Sequence, residues 1–249
     1  AMAQNAAGNP DAAEQAYDQL VRQFPGHARG WFNLGNLRFR RAEVKGALEA
    51  YDRAVELDDG RPDFRRNRAI ALVEAGRHAD AVADADIALE HSPDDPVLLR
   101  LKARSLARTG QSAEALEMLA GLETADDLAL QGEIAAAAGE TGKALEFYNR
   151  GEALTGDLAW RLKRMLVHPP VVASRAEVKD LRELFETGLR EIGGSAFRLD
   201  EPLDQGLAPA FYRGYHGEDE RDWQVAYSGL CREIAPVLNY TAPHVGKRR

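Results

Sequence analysis

Apolar and small residues recur along the first 156 residues at helical spacing, interrupted by short polar turns. Ala47, Tyr51 and Ala54 return 34 positions later as Ala81, Ala85 and Ala88, and Asn33 returns as Asn67. A fixed period of 34 with small residues held inside it predicts stacked helical hairpins. Gly35, Ala42, Ala47, Tyr51, Ala54 and Asp59 define one unit at about 28–61. Ala69, Gly76, Ala81, Ala85, Ala88 and Pro93 define the next at 62–95. Ala103, Gly110, Ala115 and Leu119 mark a third at 96–124, and Gly132, Gly139, Ala144, Tyr148, Gly151 and Gly156 a fourth at 125–156. Before them, Gly8, Ala13, Tyr17, Leu20 and Pro25 fit the second half of a unit that lacks its first helix.

The reason for the pattern is steric. Two antiparallel helices approach closely when a small residue sits at the crossing and a large one beside it. Gly35, Ala69, Ala103 and Gly132 are the expected crossing residues of the first helices, and Ala47, Ala81, Ala115 and Ala144 those of the second. Gly76, Gly110 and Gly142 are assigned to the turns. Asp95-Pro96 reads as an N-cap followed by proline at the first helical position. The third unit is only 29 residues long, which predicts a shortened second helix around 113–119 and a local change in superhelix pitch.

From residue 157 the period is lost. An amphipathic helix is expected over 158–166, ended by His168-Pro169-Pro170. Ser174 begins a Ser-x-x-Glu capping box, with Glu177 reaching back, for a helix that runs to about Ile192 and stops at Gly193-Gly194. A loop is expected over 200–209. A last helix is expected over 218–237, with Trp223, Ala226, Tyr227 and Leu230 on one face.

Composition narrows the function. Phe, Trp and Tyr reach only 7% while alanine and leucine dominate, which favours helix over sheet. The formal charge of −8 argues against a general nucleic-acid binder. A single cysteine, Cys231, leaves no disulfide frame or thiolate metal cluster, and core packing is its expected role. The histidines lack metal-ligand spacing, and no glycine-rich phosphate loop follows a strand. Neither a membrane-length apolar run nor a signal segment is present, so a cytoplasmic protein is expected. The ends, Ala1-Met2-Ala3 and Gly246-Lys247-Arg248-Arg249, suggest a piece of something longer.

The repeated small residues resemble those of the tetratricopeptide repeat family, strongly over 28–95 and well over 96–156. Departures are Arg38 in place of the usual aromatic, and Arg65 and Leu99 at the tryptophan-like position of Trp31. The tail segment Phe211-Tyr212-Arg213-Gly214-Tyr215-His216-Gly217-Glu218-Asp219-Glu220-Arg221 resembles one that follows the repeats in bacterial SPINDLY and O-linked N-acetylglucosamine transferase-like proteins. Tyr240-Thr241-Ala242-Pro243-His244 is similar to that family as well. There a glycosyltransferase module follows, which this chain does not contain. The resemblance implies that asparagines at the inner-groove register, Asn33 and Asn67, form a ladder for the backbone of an acceptor polypeptide, with Asn36 one turn further on. A carboxamide suits this role because, like a peptide group, it offers a donor and an acceptor. The competing reading is a solvated surface. The ladder would end early, because Leu101 and Leu130 take the next two equivalents. Arg29, Arg40, Arg66, Arg100, Arg104 and Arg108 fall at or beside groove positions and would select carboxylates, partly offset by Asp63 and Glu74. An ordinary charged helix face is the default alternative. Asn36 and Asn67 also match part of the carboxylate clamp of chaperone-binding repeats. Its basic partners are replaced by Phe32, Val97 and Leu101, which rejects that specificity.

The expected fold is therefore all-α: a right-handed helical-hairpin solenoid over 1–156, then a non-repeat helical capping or linker region over 157–249. The expected function is recognition of a peptide or protein partner by the groove, as the acceptor- or partner-binding part of an O-linked glycosyltransferase-like protein. The alternative is a free-standing adaptor. The chain itself is expected to be no enzyme, with no cofactor or metal and neither nucleic acid nor membrane as partner; homo-oligomerisation is possible.

Overall fold

The computed structural model describes residues 10–167, 169, 172, 174–200 and 221–239, which form two compact units divided between Gly121 and Leu122. Every regular element among these residues is helical.

The first unit contains α1 (Pro10–Gln23), α2 (Ala28–Arg40), α3 (Val44–Leu57), α4 (Pro62–Glu74), α5 (His78–His91), α6 (Pro96–Arg108) and α7 (Ser112–Leu119). Consecutive helices pack on one another, and the first helices of successive pairs also meet, α2 on α4 and α4 on α6. The crossing residues behave as their size requires. Ala47, Ala69, Ala81, Ala103 and Ala115 are all fully buried. Gly35 lies directly under the ring of Tyr51. Phe32 stacks on Phe64 with ring centroids 4.6 Å apart, which joins the first complete pair to the next. Side-chain caps set the starts of α2, at His27, and of α6, at Asp95. The Asp95 carboxylate accepts from the backbone of Val97 and Leu98 ahead of Pro96. Helix α7 has only eight residues, as the shortened unit predicts.

The turns contain one correction. Gly76, Gly110 and Gly139 adopt positive φ, but Gly142 lies inside a helix and makes no turn. The matching position in the first complete unit is Ala42, which is forced to a φ of 59°. A left-handed alanine carries strain of roughly 1–2 kcal/mol that glycine avoids. Part of this gain is lost to the larger unfolded-state entropy of glycine. Ala42→Gly should thus raise stability by about 0.5–1 kcal/mol, read as a higher urea midpoint at unchanged slope.

The second unit contains α8 (Ala125–Ala137), α9 (Thr141–Thr155), α10 (Ala159–Met165), α11 (Arg175–Ile192), α12 (Arg221–Ile234) and a 3-10 turn at Pro236–Asn239. Thr124 and Asp127 form a reciprocal capping box that starts α8. Helices α8 and α9 repeat the hairpin packing, with Gly132 under Tyr148 and Ala144 fully buried. Trp160 of α10 covers Gly151, which leaves no room there for a side chain. Helix α11 has the expected limits, with Ser174 Oγ accepting from Glu177 N. Helix α12 ends at Ile234 rather than 237, because Pro236 cannot continue it. Its buried face is Tyr227, Leu230 and Ile234, whereas Ala226 is exposed, against expectation. Trp223 fits despite its bulk because it stacks on Phe185 at 4.9 Å with the Arg182 guanidinium over its ring. Cys231 packs at the edge of this core, and burial pushes its thiol above the usual range. The loop at 201–209, the aromatic segment at 211–215, His168 and the 240–244 motif lie outside the described residues. Among the described residues no helix is long and apolar enough to cross a membrane.

Candidate binding cleft

Helices α2 and α4 lie side by side, and a cleft of about 350 Å³ opens between them. Asn36, Phe39 and Arg40 of α2 line it with Asn67 and Ile70 of α4, and Tyr51 of α3 forms its floor. The residues reach it because 36 and 40 share one face of α2, and 67 and 70 share one face of α4.

A hydrogen-bonded triad organises the polar part. Asn36 Oδ1 accepts from the Tyr51 hydroxyl at 2.8 Å and from Asn67 Nδ2 at 2.7 Å. The Tyr51 ring is fully buried, so its hydroxyl is a fixed donor rather than a mobile one. Burial pushes this phenol up to about 12, against the pull of Arg40 and Asn67. It therefore stays protonated, and a donor, at neutral pH. The two acceptor sites of Asn36 Oδ1 are occupied. Asn36 Nδ2 and Asn67 Oδ1 make no hydrogen bond among the described residues. Besides the Arg40 guanidinium, the cleft thus offers a free amide nitrogen and a free amide oxygen beside two apolar side chains, Phe39 and Ile70.

The candidates named from the sequence divide as follows. Asn36, Asn67 and Arg40 line the cleft together. Asn33 is half-buried and lies outside it, so the contact between repeats joins position 36 to 67, not 33 to 67. Arg29 is 3.6 Å from Asp63, which Arg61 also holds. Arg66 Nε binds Asp95 at 3.1 Å. Arg100 is half-buried with a partner of its own, while Arg104 and Arg108 are exposed on α6.

Sequence reasoning treated Tyr51 as packing alone and overlooked Phe39 and Ile70. It also overlooked an ion cluster on α3, α4 and α5. Arg68 grips Asp84 with two nitrogens at 2.6 and 2.7 Å and reaches Asp52 at 3.0 Å, and Arg65 joins Asp84 at 3.0 Å. The signal was present. Asp18, Asp52 and Asp86 stand 34 residues apart, and each meets a cation of the helix that follows, Arg38, Arg68 and Lys102. Arg38 and Arg65, two of the three departures from aromatic character, are explained by the partners Asp18 and Asp84.

Comparison with known proteins places the architecture. The family model described as tetratricopeptide repeat matches residues 1–62 and 66–129. The Hsp70-Hsp90 organizing protein of Triticum aestivum is 30% identical over 76 residues, 30% of this chain and 13% of that protein. The TPR repeat-containing thioredoxin TTL4 of Arabidopsis thaliana is 42% identical over 50 residues, 20% of this chain and 7% of that protein. The chain therefore spans only a small part of the curated relatives it matches. Among solved structures, a tetratricopeptide repeat protein from Parabacteroides merdae aligns over 96% of this chain and 90% of its own, with TM-score 0.62 and 13% identity. YrrB, titled a TPR protein with an unusual peptide-binding site, aligns over 83% of this chain and all of its own, with TM-score 0.56 and 17% identity. At such identities the structural likeness concerns the fold alone.

Proposed function

The chain belongs to the tetratricopeptide repeat family, and on that premise we propose that the α2–α4 cleft docks an extended polypeptide segment of a partner protein. The observation that carries this reading is the Asn36–Tyr51–Asn67 triad. A peptide group needs one acceptor for its N–H and one donor for its C=O, and the triad presents both. Tyr51 fixes the orientation of Asn36 beforehand, so little side-chain freedom is lost on binding. Phe39 and Ile70 give the segment's side chains apolar contact. Each hydrogen bond contributes roughly 0.5–1.5 kcal/mol net, so affinity from this cleft alone is modest and tolerant of sequence.

In the finer form of this proposal, the chain is the partner-selecting part of an O-linked glycosyltransferase-like protein and transfers no sugar itself. Support comes from the sequence at 211–221 and 240–244. A gene product that continues past Arg249 into a catalytic module would strengthen it, and one that ends there would favour the free-standing adaptor. The adaptor reading draws on the relatives named for organising Hsp70 and Hsp90. A chaperone-tail specificity does not follow, because Phe32, Val97 and Leu101 replace the cations of that clamp.

The cleft is tested on an array of immobilised peptides. Asn67→Ala should weaken the bound peptides by roughly threefold to tenfold and cost no more than about 1 kcal/mol of stability, the loss of one half-buried hydrogen bond. Asn33→Ala, outside the cleft, should change affinity less. An unaltered binding profile in Asn67→Ala would remove the cleft from consideration.

A further inference from the structure

From the charges left uncompensated along this groove, we infer that the docked segment is acidic, an inference that rests on the cleft reading above. The repeat register shows how the groove continues. Asn36 and Ile70, which both line the cleft, are followed at the same interval by Arg104 of α6. Arg40, also lining the cleft, is followed by Glu74 and then Arg108. The wall that begins with a carboxamide and an arginine therefore continues onto α6 as two more arginines. Helix α6 itself contains no acidic residue.

Two of the three acids near this wall are already engaged. Asp63 is held by Arg61 at 2.8 Å and Arg29 at 3.6 Å. Asp95 uses one oxygen to cap α6 and the other to bind Arg66. Glu74 is exposed and forms no salt bridge among the described residues. Arg40, Arg104 and Arg108 are exposed as well, and none of them forms one either. Among the described residues three cations thus stand against one carboxylate, on a chain whose net charge is −8. A local excess of cations on an acidic protein attracts anionic segments to this wall and repels them elsewhere. The neighbouring Val97 and Leu101 add apolar contact, so the fitting partner alternates carboxylates with small apolar residues rather than presenting bare phosphates.

The test measures fluorescence polarisation with the whole chain. The probes are a labelled peptide of Glu-Ala-Ser repeats, its Gln-Ala-Ser twin, and a labelled single-stranded RNA. The acidic peptide should bind about fivefold to tenfold more tightly than its twin at low salt, and the gap should narrow as salt rises. Arg104→Gln with Arg108→Gln should close most of the gap while the affinity of the neutral twin holds. Both side chains are exposed, and circular dichroism of the variant checks that the helices persist. Equal binding of the two peptides, both weakened by Asn67→Ala, would overturn acidic selection and leave polypeptide docking standing. No binding of either peptide, or indifference to Asn67→Ala, would overturn both. RNA that binds more tightly than the acidic peptide would reassign the cations to nucleic acid.

Discussion

Gly35→Ala should destabilise the protein by about 2 kcal/mol and weaken peptide binding in the same variant. A Cβ at this position would stand 2.6 Å from two ring atoms of Tyr51 and 3.2 Å from a third. Carbon atoms do not share that space, so either the ring or the helix must move. The ring has nowhere to go. It is fully buried, lies beside Phe32 with centroids 6.0 Å apart, and is tied through its hydroxyl to Asn36. Alanine's better helix propensity contributes about 1 kcal/mol in the opposite direction. Overpacking of a filled core costs roughly 1–3 kcal/mol, and more when the neighbour is rigid, so the steric term wins. The displaced ring takes its hydroxyl from Asn36, and the cleft loses its fixed orientation. Gly142→Ala supplies the control. Its Cβ would meet nothing within 4 Å, and its backbone is helical, so the same substitution should stabilise by a few tenths to about 1 kcal/mol. Urea midpoints of the two variants on opposite sides of the wild type are the expected result. A Gly35→Ala variant as stable as the wild type would remove the close-packing account.

The same two glycines show what the sequence makes legible. Periodic small residues report helix crossings reliably, because the distance between backbones is set by a single Cβ. That is why Ala47, Ala69, Ala81 and Ala103 could be assigned from spacing and are all fully buried. Turns are less legible. Glycine at a turn and glycine within a helix look alike in sequence, so Gly142 was assigned to the turn that Gly139 makes, and the strained Ala42 was not singled out. The cleft was legible by halves. The carboxamides stood out as polar residues at an inner register, but a contact between repeats depends on the offset of neighbouring helices, which no single register contains. The bond from Asn36 to Asn67 spans that offset, and Asn33 does not. Tyr51 was hidden by its dual role, since a ring that fills the core can also donate its hydroxyl to a cleft amide. Arg65 and Arg38 look like faults in an aromatic pattern until Asp84 and Asp18 appear beside them.

Asp84→Ala should be the more damaging change, at about 3 kcal/mol. The Asp84 carboxylate is 4% exposed and accepts from two arginines, whose side chains are 15% and 19% exposed. Removing it strands two half-buried guanidinium groups. Breaking a buried pair typically costs 3–5 kcal/mol, and the lower end applies because Arg68 keeps Asp52 at 3.0 Å and Arg65 keeps the Asp59 carbonyl at 3.3 Å. A double-mutant cycle separates charge from packing. Leucine already occupies the equivalent of Arg65 in the following unit, as Leu99, so Arg65→Leu alone should be close to neutral. In that background Asp84→Ala strands one guanidinium instead of two and should cost clearly less. Equal costs in both backgrounds would mean that Asp84 acts on Arg68 alone. Peptide affinity should fall less than stability in Asp84→Ala. Arg68 sits next to Asn67 in the chain, but it leaves α4 towards Asp52 and Asp84, whereas Asn67 turns to Asn36 in the cleft. Helix α4 thus carries its stabilising ions and its cleft amide on different sides, so the first can be lost without displacing the second.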